Sequence, residues 1–423
     1  MMLQTVQEQV SSEIKNHSKD FKEMQKWSPL LQHASYALLA GASPQEKKLL
    51  TVGISSVLRP YRSYLLDTLQ SLFQASSQYD LDYILVLVLL SDTEPAGLNE
   101  TVARISHLFM THIEAGRLLV VHGLLDDPLV KNRNHFSPCG ELYSRQKTDS
   151  ALLMNFAHNL SDYFLLLEDN VLTTPRFVSA IYWALSAWEA FPWVILEFSS
   201  LRSSGKVFHT RDLSHLTSFF LLFPKDTPTH SLLSESHLLL NQNVPIHFSF
   251  SIFHHMGSYS ELEDTCFPME KDMVFGEPNN PAATIFTNMI SLWNTAPQYA
   301  YILNDDCFWV IEPEKDNYVL VILDRPQKII RIAVLTGSDH RRMNHLQHRQ
   351  VLLGYSLMDY PKRCAHYTLV GPLVRGHLDQ RVFYEEDSVK KMSCMKLLVS
   401  APQDSSLLIR HIKVWTEQEE EES

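Results

Sequence analysis

The sequence predicts an α/β fold with a mainly parallel sheet, followed by a small C-terminal β-sandwich. Two observations carry that prediction. Short apolar runs alternate with amphipathic segments six or seven times over the first two thirds of the chain, the order that a parallel sheet with helices on both faces requires. After about Asn288 helical periodicity is lost, and short strand-like runs separated by turn residues take over, which is the pattern of a sandwich. A chain of 423 residues is too long for one ordinary core and sufficient for two domains. The expected division is a polar, helical segment over 1–48, the α/β domain over 49–290, the β-sandwich over 291–416 and an acidic tail over 417–423.

The first predicted strand, 49–56, ends in the turn Val57-Leu58-Arg59-Pro60. Tyr61, Leu65, Leu69, Leu72 and Phe73 then share one face at helical spacing. A second strand over 83–90 closes on Ser91-Asp92, a helical segment covers 98–114, and a third strand covers 118–122. A loop with Pro128, Asn132, Asn134 and Pro138 leads into a helix over 144–159. The strand that follows ends in Glu168-Asp169-Asn170. Pro175 opens the next helix, as proline prefers, and residues 193–198 form the next strand. The later strands are predicted at 307–311, 318–323, 329–335, 366–370, 396–399 and 408–414.

Composition narrows the function. A chain with 45% hydrophobic and 20% charged residues is a folded globular protein. Its net charge of −12 argues against nucleic-acid binding, which wants a basic face. Part of that excess is the solvated run Glu417-Gln418-Glu419-Glu420-Glu421-Glu422. Cys139, Cys266, Cys307, Cys364 and Cys394 show no CxxC spacing, which disfavours zinc; the odd count leaves at least one thiol unpaired unless it pairs between chains. Residues 1–27 are polar, so no signal peptide is expected. The apolar stretch 30–42 is shorter than the about 20 residues a membrane span needs. On residues alone the chain reads as cytosolic, while glycosylation sequons at Asn16, Asn99 and Asn159 lean weakly toward a luminal place.

The most informative run is Asp162-Tyr163-Phe164-Leu165-Leu166-Leu167-Glu168-Asp169-Asn170-Val171, an apolar strand that stops on two carboxylates and an amide. In open α/β sheets ligands bind at the carboxyl ends of the strands. Acidic groups there suit a hard divalent cation that in turn holds phosphate oxygens. Two readings stand: a metal and nucleotide-sugar site, or a solvated polar turn. Glu197 closes the following strand and is either a general base toward an acceptor hydroxyl or a structural carboxylate. Ser55, Ser56 and Arg59 end the first strand, where such folds hold a nucleotide. Neither GxGxxG nor GxxxxGK[ST] occurs, which disfavours dinucleotide and P-loop readings. His340, His345 and His348 lie among Arg341, Arg342 and Arg349, a solvated basic loop rather than a zinc site. His254-His255 precede Met256-Gly257; one of the two histidines is either a metal ligand or a core residue.

Taken together, residues 51–72 (TVGISSVLRPYRSYLLDTLQSL), 145–157 (RQKTDSALLMNFA), 163–170 (YFLLLEDN), the WVILEFSSL run with its following Gly205-Lys206, and 253–260 (FHHMGSYS) resemble N-acetylglucosaminyltransferase IV, the α-1,3-mannosyl-glycoprotein 4-β-N-acetylglucosaminyltransferase family. The resemblance runs in order from Leu49 to the mid-330s. It implies a GT-A-type nucleotide-sugar-binding fold with a carbohydrate-binding-module-like β-sandwich. It implies transfer of N-acetylglucosamine from UDP-N-acetylglucosamine to the α-1,3-linked core mannose of a glycoprotein N-glycan, in β-1,4 linkage, with inversion. A divalent metal, Mn2+, and a Golgi location come with it. By the same resemblance, Glu197 is the catalytic base. Ser56, Arg59, Gln146, Asp149 and Glu168 serve the donor, and Asp169, Asn170 and His255 serve the metal. Asp306 and Trp309, in the run Asn304-Asp305-Asp306-Cys307-Phe308-Trp309, contact sugar in the C-terminal module.

Three departures stand out. Asn170 occupies the place of a second metal-binding Asp, Leu58 that of a lysine, and Tyr259 that of a histidine. The family's membrane anchor and stem have no counterpart in these residues. The alternative reading is therefore a catalytically inactive homologue that binds and regulates another Golgi glycosyltransferase, or binds glycans.

Overall fold

A computed structural model describes residues 34–56, 64–91, 94–125, 138–224, 226–257, 265–266, 275–337, 349–385 and 388–417. Arg59, Leu58, Tyr259, His340, His345 and His348 lie outside the described residues. The chain divides into two compact units, one comprising Met1–Ala180, Pro192–Pro245 and Ser251–Asp272, the other Ile181–Phe191, Ile246–Phe250 and Met273–Ser423.

The first unit is built on β1 (Ala34–Ala40), β2 (Lys48–Ser56), β3 (Ile84–Leu90), β4 (Leu118–Leu125), β5 (Ser161–Glu168), β6 (Val171–Thr173), β7 (Ile195–Glu197) and β8 (Lys206–His209). Its main sheet runs in the order β1-β4-β3-β2-β5-β8-β7. The central strands β4, β3, β2 and β5 are parallel neighbours. At the flanks, β1 is antiparallel to β4, and β8 is antiparallel to both β5 and β7. The sheet is thus mixed: parallel at its centre, as its sequence predicts, and antiparallel at its flanks, against the expectation of a mainly parallel sheet.

The physical reasons are local. All seven residues of β3 are buried, as the strand of a sheet covered on both faces must be. Leu85, Leu87 and Leu89 pack with Leu119, Val121, Leu153, Phe164, Leu166 and Phe220 in one core cluster. The helix Leu65–Ala75 buries Leu65, Leu69, Leu72 and Phe73, the stripe expected from sequence. β8 is antiparallel because the link from β7, residues 198–205, is too short for a crossover of a dozen or more residues. β1 carries alternating half-buried and exposed residues, so it lacks the continuous apolar signal by which its neighbours are recognised.

β9 (Ile246–His247) belongs to the second unit, and β10 (Phe253–His255) returns to the first, where it pairs antiparallel with β6. The second unit continues with β11 (Ala283–Thr287), β12 (Phe308–Val310), β13 (Tyr318–Gln327), β14 (Ile329–Thr336), β15 (Arg349–Met358), β16 (Arg363–Pro372), β17 (His377–Arg381), β18 (Met392–Val399) and β19 (Leu407–Thr416). Among the described residues these form two sheets, β11-β13-β18-β15-β16 and β12-β19-β14-β17. Val321, Val351 and Leu397 of one sheet and Ile332, Val334 and Ile412 of the other share one buried core. Two antiparallel sheets closing on a common core make a β-sandwich.

Two disulfides form, Cys139–Cys266 in the first unit and Cys364–Cys394 in the second, and Cys307 is a free thiol. The second bridge joins β16 to β18 across β15, passing over Gly354, where a Cβ would lie 2.7 Å from Cys364 Cβ. It closes a loop of sequence separation 30, which is worth roughly 3–4 kcal/mol by loop-closure entropy. Replacing Cys364 and Cys394 together by Ala is therefore expected to lower the denaturant midpoint of the sandwich clearly, while Cys307→Ser leaves it in place. Equal midpoints for the double variant and the parent would show that the bridge contributes nothing. No helix among the described residues is long and apolar enough to cross a membrane.

Candidate functional site

The site forms at the carboxyl edge of the first unit's sheet. Ser55 of β2 lies beside Glu168 of β5 in parallel register, so the ends of the two strands present their side chains together. Ser56 Oγ donates to Asp169 Oδ2 at 2.5 Å, in the buried interior. Thr68, on the helix Leu65–Ala75, clamps the turn from beneath. Its hydroxyl donates to the Asp169 carbonyl at 2.9 Å and accepts from Val171 N at 3.1 Å. Glu168 is held from two sides: Gln146 Nε2 donates to its Oε1 at 3.2 Å, and its own N–H donates to Ser204 Oγ at 3.0 Å.

The pairing of β6 with β10 sets His255 opposite Val171, and so beside Asn170. Asn170 Nδ2 lies 2.7 Å from His255 Nε2 and donates to the Gly257 carbonyl at 3.0 Å. Met256 N donates to the Asn170 carbonyl at 2.8 Å. His255 Nε2 is 4.0 Å from Glu168 Oε2. The Asn170 Oδ1 atom is buried without a hydrogen-bond partner.

Glu197 closes β7. β7 and β5 run in the same direction because each is antiparallel to the intervening β8, so both end at this edge. Lys206 is the register partner of both Leu166 and Glu197, and two strand spacings put those two backbones about 10 Å apart. Lys206 Nζ pairs with Glu197 Oε2 at 2.8 Å, with both side chains largely buried. Nearby His237 is held below its ordinary pKa chiefly by burial, against the opposing pull of its hydrogen bond to the Gln242 carbonyl and of the Glu197 charge.

The structure thus gathers Ser56, Gln146, Glu168, Asp169, Asn170 and His255 into one network and sets Glu197 at the same edge. Asp149 is buried three residues along the helix from Gln146. Lys206, Ser204 and Thr68 were missed as contributors. A lysine following Gly205 one short turn after a strand-end carboxylate is the signal by which the first could have been found. The predicted metal set does not fit a cation as arranged. Asp169 accepts from Ser56, the Asn170 amide turns its nitrogen toward His255, and among the described residues no cluster of three His, Cys, Asp or Glu side chains is placed to hold a metal.

In the second unit, Asp306 is fixed by Asn304, whose Nδ2 donates to Asp306 Oδ2 at 2.7 Å and whose Oδ1 accepts from Asp306 N at 3.1 Å. Trp309, on β12, meets the ring of Trp293 edge to face at 5.1 Å. Trp293 is 71% exposed and sits at φ 57° on a turn continued by Asn294 at φ 53°. Sequence reasoning missed Trp293, since nothing in the run Leu292-Trp293-Asn294 separates a displayed tryptophan from a packed one.

An acidic, amide-lined turn at the carboxyl ends of parallel strands, followed in the chain by a β-sandwich, defines an α/β protein carrying an added β module. The chain matches the MGAT4 conserved region over residues 12–274. It is 39% identical to the α-1,3-mannosyl-glycoprotein 4-β-N-acetylglucosaminyltransferase-like protein MGAT4E of Mus musculus, over 92% of this chain and 88% of that protein. It is 36% identical to the α-1,6-mannosyl-glycoprotein 4-β-N-acetylglucosaminyltransferase of Gallus gallus, over 91% of this chain and 85% of that one. With the α-1,3-mannosyl-glycoprotein 4-β-N-acetylglucosaminyltransferase C of Macaca fascicularis the identity is 33%, over 98% and 88%. This chain belongs to the MGAT4 family.

Proposed function

We propose that this protein is an N-acetylglucosaminyltransferase of N-glycan branching. Its donor is UDP-N-acetylglucosamine, and its acceptor is the α-1,3-linked core mannose of a glycoprotein N-glycan, joined in β-1,4 linkage with inversion. The observation that carries the reading is the Glu168–Asp169 turn, held by Ser56 and Gln146, at the same sheet edge as Glu197. Kinship along nearly the whole chain to proteins named as N-acetylglucosaminyltransferases supports it.

In this reading Gln146 orients Glu168 toward the donor, and Glu197 takes the proton of the acceptor hydroxyl as that oxygen attacks the sugar's anomeric carbon and UDP departs from the opposite face. The second unit presents Trp293, Trp309 and Asp306, an aromatic face beside a fixed carboxylate, as a glycan-binding surface. Two disulfides suit the oxidising lumen of the secretory pathway, and the proposed place of action is the Golgi.

The test is titration calorimetry with UDP-N-acetylglucosamine, followed by transfer of labelled N-acetylglucosamine to a biantennary N-glycan. Donor binding with product carrying one added residue is the expected result. Donor binding without transfer to any N-glycan acceptor would sink the transferase reading.

A further inference from the structure

We infer that Asn170 takes the place of a cation, so that this strand-end site binds no divalent metal. The geometry is that of an internal cross-link. Two acceptors converge on one side-chain nitrogen, His255 Nε2 at 2.7 Å and the Gly257 carbonyl at 3.0 Å. A carbonyl can only accept, so Gly257 fixes the amide with its nitrogen inward. His255 Nε2 then accepts the second amide hydrogen. The 3.3 Å approach of Gly257 N to His255 Nδ1 competes for the other ring tautomer, but that tautomer would set an Nε2–H against the amide N–H at 2.7 Å, so the shorter contact places the ring proton on Nδ1. By the amide's own planarity Oδ1 is turned away from the histidine, and it is buried without a partner.

A carboxylate at this position would reverse the electrostatics. The Asn170→Asp substitution replaces a donor by an anionic oxygen facing a ring nitrogen and a carbonyl, with Glu168 Oε2 only 4.0 Å from that nitrogen. Such a gathering of acceptors calls for positive charge, which a bound cation supplies. The amide supplies two N–H groups in that position instead, closing β10 onto the turn after β5 with no ion.

The experiment is manganese binding by the full chain, followed by loss of the electron paramagnetic resonance signal of free Mn2+. The parent protein is expected to leave the signal unchanged, and Asn170→Asp to deplete it, with affinity on the order of tenfold tighter or more since charge count governs such sites. Depletion by the parent equal to that by Asn170→Asp overturns the inference. Thermal melts decide the matter even if Asn170→Asp does not fold. His255→Ala should lower the parent's Tm by the same amount with manganese and with chelator. A manganese-dependent rise in the parent's Tm that His255→Ala abolishes would overturn the proposal. Because the probe is the metal alone, donor binding in chelator tests the transferase reading separately: its absence counts against that reading and leaves the cross-link standing.

Discussion

Glu197→Gln is expected to lower the turnover of N-acetylglucosamine transfer by about 10²–10⁴-fold, the range for loss of a positioned general base, with little change in donor affinity. The position argues for this. Glu197 ends the strand that lies, with β8 between, beside the strand ending in Glu168, and β7 and β5 run the same way. The confounding effect is structural, because Glu197 is also the partner of a lysine that is only 7% exposed. Removing one member of a buried ion pair leaves the other charge uncompensated and costs about 3–5 kcal/mol. Gln keeps a carbonyl oxygen for Lys206 to donate to, so its cost falls below that range.

The double variant Glu197→Gln with Lys206→Met separates the two roles. It removes both charges and so recovers stability, whereas a base once lost stays lost. Turnover of Glu197→Gln within a few-fold of the parent would show that the carboxylate only anchors Lys206. Recovery of turnover in the double variant would point the same way.

Much of this edge was legible from sequence because central strands announce themselves. β3 and the apolar part of β5 are continuous buried runs, and polar residues at their ends mark where the sheet meets solvent. The neighbours of each strand were not legible. β8 inserts between β5 and β7 in the opposite sense, a choice set by the length of the link and by a register that four residues, Lys206–His209, cannot signal. The pairing of β6 with β10 brings His255 to Asn170 across some 85 residues of chain. Strands of three residues give no periodicity from which to infer it. The same limit explains the metal expectation. Residue types at 168–170 and at 255 suggest ligands, while the direction in which an amide points depends on the Gly257 carbonyl, which composition does not encode. In the sandwich, β11, β15 and β17 were overlooked because half-buried residues interrupt their apolar pattern.

Gly205→Ala is expected to destabilise the first unit by about 2–4 kcal/mol, combining an unfavourable left-handed backbone with overpacking. Gly205 has φ +74°, and a Cβ there would lie 2.4 Å from Ser199 Oγ and 2.9 Å from Ser199 Cβ. Its backbone is committed on both sides, with Gly205 N donating to the Leu166 carbonyl at 2.8 Å and its own carbonyl accepting from Phe198 N at 2.9 Å. The turn therefore cannot relax without loosening β8 from β5. Ser199 cannot simply swing aside, since its hydroxyl donates to the Ser204 carbonyl at 2.6 Å. Ser204 in turn accepts the Glu168 N–H, so the disturbance reaches the acidic turn itself. The expected signature is a Tm lower by about 5–10 °C together with weaker UDP-N-acetylglucosamine binding. Combining Gly205→Ala with Ser199→Ala removes the hydroxyl contact but not the backbone strain, so it should restore part of the Tm and no more. An unchanged Tm in the single variant would show that the turn has room which this geometry denies it, and the coupling drawn from Gly205 to Glu168 would fall with it.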